Sequence, residues 1–319
     1  MESLAIGIDI GGTNIKGGVI SSSGEVIISQ KISTQAKKGF SHTFLLVKDL
    51  IRKLIDQSQD KGKICGIGCA TAGQVDHKQG RVVFATDNLP GLSGFQLKDQ
   101  LHAAFNMPVA VENDVNAVAL GEHWLGAAAG LEDFICLTLG TGVGGAIFRR
   151  GSIDYGADDI SGEFGHFSIN FDGPLCNCGN KGCFEQYGSV TALIQSMRQR
   201  LSDGEISLVS DLVNGNPQKI NGEVIFEAKE RGDVLASAIV DDYILHLSVG
   251  IAGLLHILNP GGVIIGGGIT QLGEKLINPL TRNIIEKAMP KFTENLIIKN
   301  ARLGDNAGII GVVRKLFIY

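Results

Sequence analysis

Long runs of like charge are missing from this 319-residue sequence, in which 28 Lys and Arg against 33 Asp and Glu leave a formal net charge of −5. That excludes the basic footprint of a nucleic-acid binder and the polybasic patch of a membrane-surface protein. The opening Met1-Glu2-Ser3 lacks the basic region of a signal peptide, so a cytoplasmic chain is expected. The most apolar helical stretch, around residues 249–258, holds His256 and two glycines and reads as too short to span a bilayer. Also missing are a low-complexity linker, a nucleophile elbow and a dinucleotide G-x-G-x-x-G fingerprint. Disorder is excluded because hydrophobic residues make up 44% of the chain.

Glycine is abundant instead, at 44 residues, roughly twice the usual share. It has no collagen period and gathers in knots beside apolar runs, which suggests backbone turns that approach a ligand. The six cysteines suit thiols or metal ligands better than a disulfide framework in a cytoplasmic protein. At about 150 residues per domain the length suits two domains.

Leu4–Ile10 reads as a buried strand, followed by a Gly11-Gly12 turn and strands over Gly17–Ser21 and Glu25–Ile32. Helical spacing runs over His42–Ser58, strands over Ile64–Cys69 and Pro108–Val111, and an Ala-rich helix over Asn113–Ala129. Phe134–Leu139, the turn Gly140–Gly145 and Ala146–Phe148 then repeat the opening strand, Gly/Thr turn and strand. Two such hairpins about 130 residues apart imply a duplicated α/β domain. Further on come helices over Ser189–Leu201, Val234–Leu258 and Ala307–Phe317, and a buried strand with a glycine knot at Val263–Gly268.

Three constellations carry chemistry. In Asp9-Ile10-Gly11-Gly12-Thr13-Asn14-Ile15-Lys16, the glycines let backbone N–H groups and the Thr13 hydroxyl turn toward an anion. The carboxylate can hold Mg²⁺ through water and the lysine can meet phosphates. The spacing is not that of a Walker A loop, and the segment alone is equally a tight hairpin; the second copy at Gly140–Gly145 favours two turns gripping one phosphate chain. In Glu112-Asn113-Asp114, a carboxylate at a strand end can take the proton of an attacking hydroxyl, or the pair can cap the next helix. His166 with Cys176, Cys178 and Cys183 supplies a Cys3His set for structural zinc; the alternative is three inert thiols, the reading that suits Cys65, Cys69 and Cys136 in their apolar strands. Zinc there would fix the carboxylates of Glu163 and Glu185. His256 reads as a satisfied core histidine, and His42, His77, His102, His123 and His246 lack sequence neighbours for a metal site or a triad.

Taken together, D-x-G-G-T-x-x-K at Asp9–Lys16, the paired hairpins, Asn113-Asp114 and the Cys-rich loop resemble the ROK family (repressors, open reading frames, kinases) of the actin/hexokinase superfamily, over essentially the whole chain. The resemblance implies an α/β fold of two actin/hexokinase-like (ribonuclease H-like) domains with an intervening cleft and a Cys3His zinc loop. The smaller domain is expected over residues 1–117 plus 305–319 and the larger over 118–304. The implied activity is ATP-dependent phosphorylation of a hexose 6-hydroxyl, with glucose as leading acceptor and N-acetylmannosamine or N-acetylglucosamine as alternatives. By the same resemblance Asp114 is the general base, and Gly73, Asn88, Asn113, Asp114, Glu163, His166 and Glu185 meet the sugar. Asp9, Gly11, Gly12, Thr13, Asn14, Lys16, Gly140, Thr141, Gly142, Gly267 and Gly268 hold ATP and its Mg²⁺, and His166, Cys176, Cys178 and Cys183 hold structural Zn²⁺. A homodimer is implied, with no nucleic-acid or membrane partner.

Two features bear on that reading. Where family members often carry P-G-x-V-D, this chain has Ala72-Gly73-Gln74-Val75-Asp76, so its sugar-side loop keeps the glycine without the proline. Asn88-Leu89-Pro90-Gly91 resembles a glucokinase loop and is also simply a good turn. The readings from another class are a non-catalytic sugar sensor and a ROK-type repressor; the repressors carry a helix-turn-helix ahead of the phosphate motif, and with Asp9 at position 9 no such module is expected here. Segment 203–232 has no assigned role.

Overall fold

The computed structural model describes residues 2–86 and 88–317. They form two compact units, one of the described residues within 2–132, 146–162 and 302–317 and one of residues 133–145 and 163–301.

The first unit contains β1 (Ser3–Ile10), β2 (Asn14–Ser21), β3 (Val26–Ser33), β4 (Lys63–Thr71), the hairpin β5 (Gln74–Asp76) and β6 (Arg81–Phe84), and β7 (Val109–Asn113). Its first three helices are α1 (Phe40–Gln57), α2 (Leu97–Phe105) and α3 (Asp114–Leu125). The main sheet runs β3-β2-β1-β4-β7, with β2 antiparallel to both β1 and β3, and β4 and β7 parallel to β1. Leu4, Ala5, Ile6, Ile8 and Ile10 of β1 are all fully buried. A strand covered on both faces needs such a continuous apolar run, and here α1 and the late helix α10 (Ala307–Phe317) both contact β1.

In the other half of the chain, β8 (Phe134–Leu139), β9 (Val143–Arg149), β10 (Ser152–Ile153), β11 (Gly262–Gly266) and β12 (Ile297–Asn300) form a sheet of order β10-β9-β8-β11-β12. Each sheet therefore places its third, second, first, fourth and fifth strands in the same order, and β11 and β12 run parallel to β8 as β4 and β7 run parallel to β1. The repeated strand, Gly/Thr turn and strand of the sequence is the first hairpin of each sheet. The remaining helices are α4 (Glu185–Gly188), α5 (Val190–Ser202), α6 (Leu208–Leu212), α7 (Gly222–Glu230), α8 (Val234–Leu258) and α9 (Glu274–Lys287).

Four details depart from expectation. Residues 118–132 and 146–162 pack with the first unit, because α3 lies against α10 and β10. The helix expected to reach Ala129 stops at Leu125, where the Glu122 carboxylate turns back to accept the Ala127 N–H at 2.7 Å. The stretch taken as too short for a bilayer is the end of a 25-residue helix, α8, long and apolar enough to cross one by length and composition. Its most apolar window has a mean hydropathy of 1.5 and is 56% buried, and α4, α5, α7 and α9 pack on it. His256, expected in the core, is exposed near the end of α8, and its Nε2 accepts the Met289 N–H at 3.0 Å.

Candidate active site

In the first unit the site grows from the carboxyl ends of three parallel strands. Asp9 pairs in register with Ala70, and Ala70 with Glu112; one step on, Ile10, Thr71 and Asn113 form the next row. Carboxyl ends of parallel strands are where open α/β sheets bind ligands. The β1–β2 turn closes with Gly11 N–H donating to Asn14 O at 3.0 Å, and the Thr34 hydroxyl donates to Gly11 O at 2.7 Å. This leaves Gly12, Thr13 and Asn14 exposed at the tip. Asn88 stands beside the turn, within 3.7 Å of where a Gly12 Cβ would be.

Asp9 is the electrostatic centre of this unit. Burial, reinforced by the nearby negative charges of Asp114 and Asp305 and opposed by Lys16, pushes its carboxyl up to about 7. Its Oδ2 reaches the first turn of α10, where a Cβ on Gly308 would stand 2.6 Å away. A buried carboxylate that feels neighbouring negative charge is a natural seat for a divalent cation, which relieves both penalties. Lys16 is itself pulled below its usual range, chiefly by burial. Asp305 escaped sequence reasoning: it pairs with Lys31 at 3.3 Å and acts on both Asp9 and Lys16, yet nothing near residue 305 in the sequence signals it.

Asp114 opens α3. The helix cap is Asn113, whose Oδ1 accepts the Val115 and Asn116 N–H groups at 2.9 and 3.1 Å, while its Nδ2 donates to Gly73 O at 3.0 Å. Asn113 thus caps the helix, while the Asp114 Oδ1 also accepts the Val115 N–H at 3.0 Å and its charge acts on Asp9.

In the second unit Gly140 and Gly142 close the β8–β9 turn with a 3.0 Å hydrogen bond, leaving Thr141 exposed. Gly267, with φ of 96°, follows β11, and its α-carbon comes so close to Leu139 that a Cβ would fall 2.1 Å from the Leu139 carbonyl oxygen. Gly267 and Gly268 therefore lie beside the strand that leads into the Gly140–Gly142 turn. The Glu185 Oε2 accepts the Val143 N–H at 3.0 Å, and a Cβ on Gly142 would meet that oxygen at 2.1 Å. Glycine at 142 is what lets this carboxylate reach the turn.

His166, Cys176, Cys178 and Cys183 offer donor atoms that all lie within 4.8 Å of one another. The Cys178 and Cys183 Sγ atoms are 3.5 Å apart, and Cys176 Sγ is 3.7 Å from His166 Nδ1. Tetrahedral zinc with Zn–S of about 2.3 Å and Zn–N of about 2.0 Å has ligand edges of about 3.5–3.8 Å, so the four residues fit the ion. His166 turns its Nε2 to Glu163, 3.9 Å from Oε2, and Cys183 leads within two residues to Glu185. A closed four-ligand site supplies rigidity rather than a reactive metal.

A profile described as the ROK family matches residues 5–315. The chain belongs to the ROK family. A glucokinase of Thermotoga maritima is 35% identical over 309 residues, covering 96% of this chain and 95% of its own length. The solved structure of a ROK family glucokinase from Streptomyces griseus, in complex with glucose and AMPPNP, is 32% identical, with a TM-score of 0.84 over 97% of each chain. A xylose repressor of Caldicellulosiruptor bescii is 30% identical over 97% of this chain and 76% of its own length. ROK members thus include both kinases and repressors, and the glucokinases match along nearly their full length.

Proposed function

We propose that this chain transfers the γ-phosphoryl group of MgATP to the 6-hydroxyl of glucose. The observation that carries the proposal is that Asp9 at the end of β1 feels the charge of Asp114 at the start of α3; similarity to glucokinases adds the substrates. Asp114 would orient the hydroxyl and take its proton. Asp9 would hold the Mg²⁺ that accompanies ATP, and the backbone of Gly11–Asn14 and Gly140–Gly142, with Lys16, would hold the phosphates. Gly267 and Gly268 leave room for the nucleoside. Gly73, Asn88, Glu163, His166 and Glu185 would meet the sugar, with Asn113 holding Gly73 in place. Little covalent chemistry is asked of the protein, so positioning and charge stabilisation supply the rate.

The proposal extends to location and assembly. Among the described residues none of the six cysteines is in a disulfide, which suits the reducing cytoplasm. Leu245, Val249 and Ile257 follow one another at helical spacing on α8 and are exposed by 39%, 40% and 77%; a homodimer would cover this apolar side.

ADP release is the test, with MgATP against glucose, N-acetylmannosamine, N-acetylglucosamine, mannose, fructose and allose. Highest kcat/KM on glucose supports the proposal; a higher value on an N-acetylated sugar replaces the acceptor, and silence on all six overturns the kinase reading. Light scattering of the intact protein and of Val249→Asp tests the dimer.

A further inference from the structure

One buried polar cluster of the first unit has no part in the chemistry above. Glu112 immediately precedes Asn113 and is fully buried. Its Oε1 accepts the Asn113 N–H at 3.0 Å and the Asn116 side-chain amide at 3.1 Å. Its Oε2 accepts the Tyr155 hydroxyl at 2.7 Å and the Lys315 ammonium. Lys315 also donates to the Tyr155 oxygen at 2.9 Å and stands 5.3 Å from the ring centre. Against the same ring lies His77, with centroids 3.6 Å apart and planes 8° from parallel. His77 Nδ1 is 3.1 Å from Asp159 Oδ2, near but not aligned as a hydrogen bond.

His77 opens the turn between β5 and β6, and Gly73 immediately precedes β5. The hairpin is thus held at both ends by consecutive residues of one strand. At its base, Asn113 Nδ2 binds Gly73 O; at its tip, His77 rests on Tyr155, which binds Glu112. A carboxylate buried this deeply is costly unless every oxygen is engaged, so Glu112 holds its four partners in one arrangement. Loss of any partner is felt by the others.

We propose that Tyr155 is a positioning residue for the sugar side of the site: through Glu112 and His77 it fixes the hairpin of residues 74–84 against the turn that carries Asn113 and Asp114. The inference rests on the kinase reading for its consequence, while the tie itself is a property of the fold. A hairpin that drifts from β7 carries Gly73 away from Asn113 and blurs the sugar contacts, leaving the phosphate-binding turns untouched.

The test combines Tyr155→Phe, which keeps the stack on His77 but removes the hydroxyl, with His77→Ala and the double variant. Each single change is expected to raise KM for glucose about tenfold while KM for ATP moves less than twofold, since displacement of a contact by about 1 Å is strongly felt. Because the two residues act along one line, the double variant is expected to add less than twofold to either single one. Hydrogen exchange at residues 74–84 is expected to quicken in every variant. A lowered Tm with an unchanged KM for glucose, or effects that multiply in the double variant, overturns the proposal. Should the native protein release no ADP with any sugar, the kinase reading fails, and exchange at residues 74–84 still decides the tie: unchanged exchange in Tyr155→Phe overturns it.

Discussion

The Asp9 carboxylate touches the first turn of α10 at Gly308, a residue nearly three hundred positions later, and only hydrogen fits there: a Cβ on Gly308 would stand 2.6 Å from Oδ2 and 3.1 Å from Cγ. Alanine at 308 is a better helix former than glycine, so its effect falls on Asp9 rather than on the helix. Gly308→Ala is expected to lower kcat/KM by about 10- to 100-fold and to raise the Mg²⁺ concentration for half-maximal rate. A Mg²⁺ titration of ADP release checks this, and an unchanged midpoint would refute it.

The same carboxylate sets a pH dependence. Its folded-state pKa of about 7 lies above the ordinary 3.8, because burial and then the charge of Asp114 penalise ionisation. A raised acid pKa favours the folded state at low pH, and that contribution is lost as pH climbs from about 4 to 7. Asp9→Asn is therefore expected to match the native protein in stability near pH 3.5 and to exceed it at pH 8, by at most about 4 kcal/mol. Denaturant melts without Mg²⁺ at both pH values test the sign; equal stability at pH 8 would contradict it.

Asp114→Ala is expected to remove about 10²–10⁴ of the turnover while Tm and metal content stay near native, since the α3 cap belongs to Asn113. Unchanged turnover would remove Asp114 from its role as base.

Metal analysis after treatment with a chelating resin is expected to find one zinc per chain. Cys178 is the exposed member of its four ligands, so Cys178→Ser is expected to lose the ion without opening a core cavity. Glu163 and Glu185, tied to the site through His166 and Cys183, then lose their anchor, and KM for glucose should rise more than KM for ATP. Full zinc content in Cys178→Ser would disprove the ligand set.

The parts of this molecule legible in its sequence are those in which cause and effect lie close along the chain. Gly11–Asn14 and Gly140–Gly142 announce themselves because a tight turn between apolar runs needs glycine locally, and the Cys3His spacing brings its own donors together. The α8 helix was legible in extent, whereas the fate of its apolar surface was not, because the helices that cover it are specified elsewhere. Least legible is the cluster about Glu112. His77 has no informative neighbour in the sequence, yet the folded chain stacks it on Tyr155 and near Asp159, and α10 brings Lys315 to Glu112. His123 is a parallel case, meeting Arg314 at 2.7 Å. Such pairings need the completed sheet.

The contacts of α10 also impose an order of assembly. This helix packs on β1, β4, β7 and α3, supplies Gly308 to Asp9, and brings Lys315 to Glu112. Strand β1, which α1 covers on one face, stays without its second cover until α10 has been translated. The second unit, with its contiguous stretch of residues 163–301, has no such wait. The second unit can therefore complete its packing before the first, while β1 keeps one apolar face open until α10 arrives.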